Sequence, residues 1–299
     1  MEILKVNEFQ GHIGSIYTLS ASSEDHIVYS VGADKRIIAW DLYEPDKSSL
    51  LVNLNIKAFA IKYIEEFDLL TVGNINGGIH IIDLIKKQEI KLLQHHTGPV
   101  FAIEFVVSKN ELVVGSEDGS FSVWSVPDFK LLYTRKVSEK KVRSIAINEK
   151  SNQCFITTSD LNIIETYLTD YSEKQSYKLE EKDQFITSSI INDDDLIIGS
   201  RGYLSIYNNG KLIKKIAAHK FAIYSIVLSP NGKYMATCSL DKTIRIWDAK
   251  SYALIKQIDR ANDSSHSNSV NKLLWNTYNN YLISASDDRL VMAWKILDS

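Results

Sequence analysis

Apolar and β-branched residues occupy alternate positions in short runs along this chain, and each clear run follows a turn pair and closes on a Trp. One phrase reads Ser239-Leu240-Asp241-Lys242-Thr243-Ile244-Arg245-Ile246-Trp247-Asp248, and a second reads Gly32-Ala33-Asp34-Lys35-Arg36-Ile37-Ile38-Ala39-Trp40-Asp41. Residues 116–124 and 286–294 repeat it, and in all four copies an Asp stands six residues before the Trp. A tight turn feeding a period-two run predicts a hairpin whose second strand is half-buried. Fainter copies fill the gaps. Residues 76–83 keep the turn and the closing Asp with Ile82 in the Trp place, residues 160–167 fit with one extra turn residue, and 201–207 fit with one fewer. The marker positions 40, 82, 124, 167, 207, 247 and 294 lie 42, 42, 43, 40, 40 and 47 residues apart. Seven units therefore use up the chain, and a single domain over residues 1–299 is expected where length alone would allow two.

Upstream in each unit lies another strand, marked by paired columns three residues apart: Ile16/Leu19, Ala58/Ile61, Val100/Ile103, Val142/Ile145, Thr187/Ile190, Ile223/Ile226 and Val270/Leu273. In the sixth unit it runs into Ser229-Pro230-Asn231-Gly232-Lys233, a turn by composition, and then into a strand over 234–238. A unit of about 42 residues with four short strands and a Trp-Asp ending resembles a blade of the WD40-repeat β-propeller family. The resemblance spans the whole chain; it is strong in units one, three, six and seven and weak in two, four and five. It implies an all-β, seven-bladed WD40 β-propeller. The seventh unit stops after its Trp strand at 290–296, while an orphan strand-like stretch at 3–9 precedes the first unit. The resemblance implies that this N-terminal strand closes the ring as the outer strand of the last blade, which also covers an open sheet edge.

Composition narrows the function classes. The chain is 44% apolar and 10% aromatic with a net charge of −3, which describes an ordinary globular protein without the basic excess that phosphate binding requires. No apolar run is long enough for a membrane helix, and the first seven residues lack a secretory pattern. Cys154 and Cys238 sit in apolar strand context away from metal-ligand spacing, so packed thiols in a reducing, cytoplasmic setting are expected. No phosphate loop, nucleophile elbow or zinc-protease motif occurs. His95-His96 lacks a partner at ligand spacing, and Asp193-Asp194-Asp195 reads as a solvated turn without the further oxygens of a calcium loop. Asn262-Asp263-Ser264 matches the glycosylation tripeptide by chance. Neither metal nor cofactor is expected.

Two sets of residues invite a catalytic reading: His12, Ser30, Asp34 and Trp40 in unit one, and His219, Thr237 or Ser239, Asp241 and Trp247 in unit six. The set recurs, however, as His95 or His96 with Asp118 and Trp124, and as His266 with Asp288 and Trp294. A catalytic centre occurs once, so repetition points to structure. In the family this chain resembles, these side chains form a buried polar tetrad that pins the Asp turn to the Trp strand. No enzymatic activity is expected.

One column remains. The position after the first column residue holds Tyr17, Phe59, Phe101, Arg143, Ser188, Tyr224 and Asn271, the first four at intervals of 42. In the family, this place starts the innermost strand around the channel mouth on the top face, which implies a partner-binding ring of residue types that favour interfaces. Period-two counting opposes this, since it turns Phe101 the same way as Ile103, into the blade packing. Arg143 and Asn271 in the same column favour exposure. Residues 139–141, 180–183 and 260–269 form polar loops on that face, the last long and mobile in character. The expected function is a non-catalytic protein–protein interaction scaffold or adaptor with a protein or peptide partner, acting as a monomeric propeller or within a larger complex, without membrane insertion. The runner-up is a subunit of an RNA–protein assembly, of the ribonucleoprotein or ribosome-biogenesis kind. Nucleic acid is disfavoured because the one compact basic group is Arg135, Lys136, Lys140, Lys141 and Arg143, with no basic stripe across several blades.

Overall fold

The computed structural model describes residues 2–179 and 185–297, where the alternating runs form strands β1–β27. The acidic stretch at 180–183 singled out in the sequence lies outside the described residues. After β1 (Glu2–Gln10), blade one is β2 (Ile16–Ala21), β3 (Ile27–Gly32), β4 (Arg36–Asp41) and β5 (Ser49–Asn53). Blade two is β6 (Ala58–Ile64), β7 (Leu69–Asn74), β8 (Gly78–Asp83) and β9 (Gln88–Gln94). Blade three is β10 (Val100–Val106), β11 (Glu111–Ser116), β12 (Ser120–Ser125) and β13 (Leu131–Lys136). Blade four is β14 (Val142–Asn148), β15 (Gln153–Thr158), β16 (Asn162–Tyr167) and β17 (Glu173–Lys178). Blade five comprises β18 (Ser188–Asn192), β19 (Asp195–Gly199), β20 (Arg201–Asn208) and the first part of β21 (Lys211–Leu228). The rest of β21 opens blade six, followed by β22 (Tyr234–Ser239), β23 (Ile244–Asp248) and β24 (Leu254–Ile258). Blade seven is β25 (Val270–Trp275), β26 (Leu282–Ser286) and β27 (Leu290–Leu297). Every blade is an antiparallel meander, and β21 fuses blades five and six into one seven-stranded sheet.

The N-terminal strand closes the ring. β1 runs antiparallel to β27, from Glu2 opposite Leu297 to Gln10 opposite Leu290, and supplies blade seven with its fourth strand. The inner strands are neighbours in the order β2, β6, β10, β14, β18, β21, β25 and back to β2, which leaves a channel along the axis.

Alternation gives each blade two apolar faces, and each face is buried against a different neighbour. Seven apolar clusters result, one at every junction. Tyr29, Val31 and Ile37 of blade one pack on Ile61, Leu70 and Val72 of blade two, while Val28, Ile38 and Trp40 of blade one pack on Ile283, Val291 and Ala293 of blade seven. The Trp place always faces the preceding blade. Its occupant in blade four is Thr166, which pairs with Cys154 and is buried; Tyr167 pairs with Gln153 and is 40% exposed. Asp160 thus precedes the marker by the usual six residues, and the extra turn residue expected from sequence is absent.

Two backbone devices hold this geometry. The residue after the turn Asp, or its equivalent, is left-handed in all seven blades: Lys35, Gly77, Gly119, Leu161, Gly202, Lys242 and Arg289 have φ between 67° and 86°. Close approach of adjacent blades requires glycine near the end of the second strand, since a Cβ on Gly73 would lie 2.4 Å from Val100 and one on Gly115 would lie 2.5 Å from Val142.

Phe9 is 4% exposed and its ring sits 5.6 Å from that of Trp40, so it joins the closing strand to blade one. Phe9→Ala is expected to lower stability by about 3–5 kcal/mol. Deleting residues 2–10 should lower the melting temperature further, and a calorimetric scan matching wild type would refute the closure.

Candidate functional site

In six of the seven inner strands, pairing with the second strand skips the second column. Val100 pairs with Ser116 and Ala102 with Gly115, so Phe101 is left out of the ladder, and the same shift occurs in β2, β6, β14, β21 and β25. A β-bulge re-aims the unpaired side chain. Phe101 therefore does not follow Ile103, which is buried between blades two and three. All seven column residues instead line the upper part of a channel cavity of about 1230 Å³.

Four of them form one continuous stack. Tyr17 and Phe59 lie 4.9 Å apart at 28°, Phe59 and Phe101 lie 5.5 Å apart, and the Arg143 guanidinium sits 4.5 Å over the Phe101 ring. Each of the four is half-buried, and so is Tyr224. Burial pushes the Tyr17 and Tyr224 phenols up, the charge of Asp287 adding to the rise at Tyr17. Burial also pulls Arg143 below its usual value, against the opposing influence of Tyr224 and Glu117. The other two column members serve the ring itself. Ser188 Oγ donates to the Ile223 carbonyl at 3.0 Å, joining blades five and six. Asn271 Nδ2 donates to the Ile16 carbonyl at 2.9 Å, joining blades seven and one, and to Asp287 at 2.7 Å.

Below this ring lie charged residues that the sequence reading did not single out. Lys62 and Glu104 pair at 2.7 Å across blades two and three. Lys272 occupies the third column, where the other blades carry Thr18, Ala60, Ala102, Ser144, Ser189 and Ser225. A Lys in a column of small residues was the available signal. Burial pulls its ammonium below the ordinary value, and Glu104 works in the opposite direction.

The tetrads form in four blades. In blade six, Trp247 Nε1 donates to Thr237 Oγ1 at 2.9 Å, that hydroxyl lies 2.8 Å from His219 Nε2, and His219 Nδ1 lies 3.1 Å from Asp241. An indole N–H can only donate, so the hydroxyl proton goes to Nε2 and Nδ1–H goes to the carboxylate. His219 is thereby fixed as a neutral imidazole. Trp40–Ser30–His12–Asp34 and Trp294–Ser284–His266–Asp288 repeat the chain of bonds. In blade three His96 is the member, not His95, and its hydroxyl is Ser122 on the Trp strand, opposite Val114. The hydroxyls of Ser30, Ser122, Thr237 and Ser284 belong to fully buried residues, out of reach of any substrate. Blades two and four hold other networks: Asn74 with His80, and Asp160 with Ser138 and Thr158.

Other features resolve in the same way. His95 packs edge-on against Trp124 beside Thr134, and no cluster of three metal-ligating side chains occurs among the described residues. Asp195 is more than a turn residue, because it accepts from Tyr252 Oη at 2.7 Å and Asn208 at 3.0 Å. Cys154 and Cys238 are buried, and burial pushes the Cys154 thiol up to about 12. Residues 260–269 are anchored where a mobile loop was expected: the short helix α1 (Arg260–Asp263) is capped by Asp259, and Ser265, His266 and Ser269 are buried.

A closed ring of seven meander blades, four of them stitched through the Trp strand by a His-hydroxyl-Asp network, defines a β-propeller of WD repeats. The profile described as "WD40: WD domain, G-beta repeat" matches residues 4–41, 87–125, 210–248 and 260–295, about half of the sequence, and the chain belongs to that family. These four segments contain the four tetrads. The chain is 21% identical over 263 residues to the U3 small nucleolar RNA-associated protein 15 homolog of Gallus gallus, which covers 86% of this chain and 49% of that protein. It is 22% identical to Protein tipD of Dictyostelium discoideum (95% and 48% covered) and 22% identical to Striatin-3 of Bos taurus (97% and 34% covered). The chain thus spans half or less of the length of these relatives. Its fold superposes on the WD40 β-propeller domain of Doa1 with a TM-score of 0.86 at 19% identity, covering 99% of this chain and 98% of that one.

Asp241→Ala removes the acceptor of His219, Thr243 and the Lys220 N–H. A loss of about 1–3 kcal/mol is expected from denaturant titration; unchanged stability would contradict the structural role. Burial lowers the pKa of His12, His96 and His219 below the ordinary 6.5. Burial alone would raise Asp118, Asp241 and Asp288, but the hydrogen bonds they accept outweigh it and hold them below 3.8. In both cases the unfolded chain binds more protons, so stability falls on acidification. The urea midpoint should drop as pH passes below about 6.5 and drop again below about 4. A flat profile from pH 7 to 5 would contradict neutral buried imidazoles.

Proposed function

We propose that this propeller is a non-catalytic scaffold that binds a protein or peptide partner on its top face, at the channel mouth. The stack Tyr17–Phe59–Phe101–Arg143, with Tyr224 across from it, carries this reading. Large aromatic rings and a guanidinium, half-buried and held by neighbouring blades, are the side chains that supply most binding energy at interfaces. Their rigidity limits the ordering cost of association. The buried tetrad hydroxyls support the absence of catalysis, since the groups that would act as nucleophiles are locked between indole and imidazole.

The name of the U3-associated relative raises the RNA-assembly alternative. The basic group that would favour it is largely neutralised: Arg135 pairs with Glu173, Lys136 with Glu139, and Lys141 with Glu117. Protein recognition is therefore the better-supported reading, and within a larger assembly the propeller would dock through the same mouth.

Combining Phe59→Ala with Phe101→Ala should reduce affinity capture of the native partner from lysate by about tenfold or more, with an unfolding midpoint close to wild type. Early unfolding would assign the rings to the core, and undiminished capture by a folded variant would move the site elsewhere. Binding that falls only shallowly with added salt supports a protein partner, whereas a steep dependence favours nucleic acid.

A further inference from the structure

Among the described residues, the upper channel holds two cations whose donors have no protein acceptor. Arg143 has five N–H donors and Lys272 has three, yet among the described residues neither makes a hydrogen bond or an ion pair within 4.0 Å; Arg143 only stacks on Phe101. Both side chains are half-buried and line the channel cavity, so their donors are open to whatever enters it, and burial disfavours their charged forms. The neighbouring charges do not answer them. Glu104 is engaged by Lys62 at 2.7 Å, which leaves that pair neutral. Asp287 stands at the rim and accepts from Asn271 at 2.7 Å. With Asp287 included, the upper channel keeps one positive charge in excess.

We propose that the upper channel is a carboxylate site, in which Arg143 and Lys272 hold the acidic side chain of a peptide whose flanking residues lie against the aromatic stack. This rests on the reading of the mouth as a partner site and adds the chemistry of the partner. A single negative charge balances the excess, whereas a doubly charged phosphate would overfill it between Asp287 and Glu104. The column holding Lys272 otherwise presents small residues, including Ser189 and Ser225, so the bore has room for a carboxylate. The direction of entry follows from charge. The lower channel is lined by Glu65, Glu66, Glu149 and Asp193 against Lys150, so an anion is repelled from below and admitted from above.

The test uses blocked pentapeptide pools whose central residue is fixed as Glu, Gln, phosphoserine or Lys and whose other positions are random, passed over the immobilised full chain. The Glu-centred pool should be retained about tenfold or more above the Gln-centred pool, with retention weakening as salt rises. Lys272→Met should abolish that preference while the melting temperature stays equal or rises, because a desolvated charge is replaced by an apolar chain of similar length. Equal retention of the Glu and Gln pools, stronger retention of the phosphoserine pool, or a Glu preference that survives in Lys272→Met would each overturn the proposal. The outcome is separable from that of the mouth itself. If Lys272→Met loses the Glu preference while the Phe59→Ala, Phe101→Ala variant keeps its native partner, the aromatic reading fails and the carboxylate site stands; the reverse pair of results removes the carboxylate site alone.

Discussion

No blade of this protein has a core of its own. Each four-stranded sheet is apolar on both faces, and the seven buried clusters all lie between blades. A single blade in water would expose two such faces, and an open row of blades would still expose one at each end. Closing the ring removes both ends at once, so burial of apolar area, the dominant favourable term in folding, is complete only when β1 docks on β27. The rest of the structure depends on this condition. Gly73 and Gly115, near the ends of the second strands of blades two and three, let the following sheets approach, and the Trp place of each blade faces the sheet before it.

The polar tetrads act within a blade; in blade one the bonds tie the second and third strands and their turn to the connector that leads into the first strand. Apolar packing is non-directional, and a sheet could slide by a residue without losing much area. The chain from indole to hydroxyl to imidazole to carboxylate has one satisfied arrangement, and misalignment would strand four buried polar groups. Blades one, three, six and seven carry it, the closing blade and both its neighbours among them, and these are the ones in which the sequence pattern is strongest. Blades two, four and five hold register with other devices, such as Asn74 with His80, so the repeat is not uniformly reinforced.

Most of the fold was legible because period-two runs, turn pairs and a spacing near 42 residues are consequences of blade geometry that leave marks in a linear string. The tetrad histidines and aspartates were legible for the same reason. The choices between His95 and His96, and between Thr237 and Ser239, were not, because adjacent or alternate residues differ only in which way they point. Tyr167 was given the Trp place in the sequence at the cost of an extra turn residue, while strand register gives that place to Thr166, the residue that the spacing of six from Asp160 marks. Phe101 shows the complementary limit. Alternation predicts burial beside Ile103, and one unpaired residue in the bulge reverses that, as it does at the same point in five other blades. Lys272 was overlooked because an isolated charge in a strand looks like solvated surface until the ring places it on the inside.

The continuous strand β21 sets blades five and six apart from the other junctions. Its 18 residues run from the rim of one blade to the centre of the next, but the ladders stop short of each other: Ala217 is the last partner of β20 before a break and Ala222 the next, so residues 218–221 at the crossing have no partner in either register. His219 lies in that gap and reaches Thr237 and Asp241 of blade six. Where backbone pairing lapses between the two blades, a side-chain clasp takes over, so the crossing is fixed by the tetrad and not by the sheet.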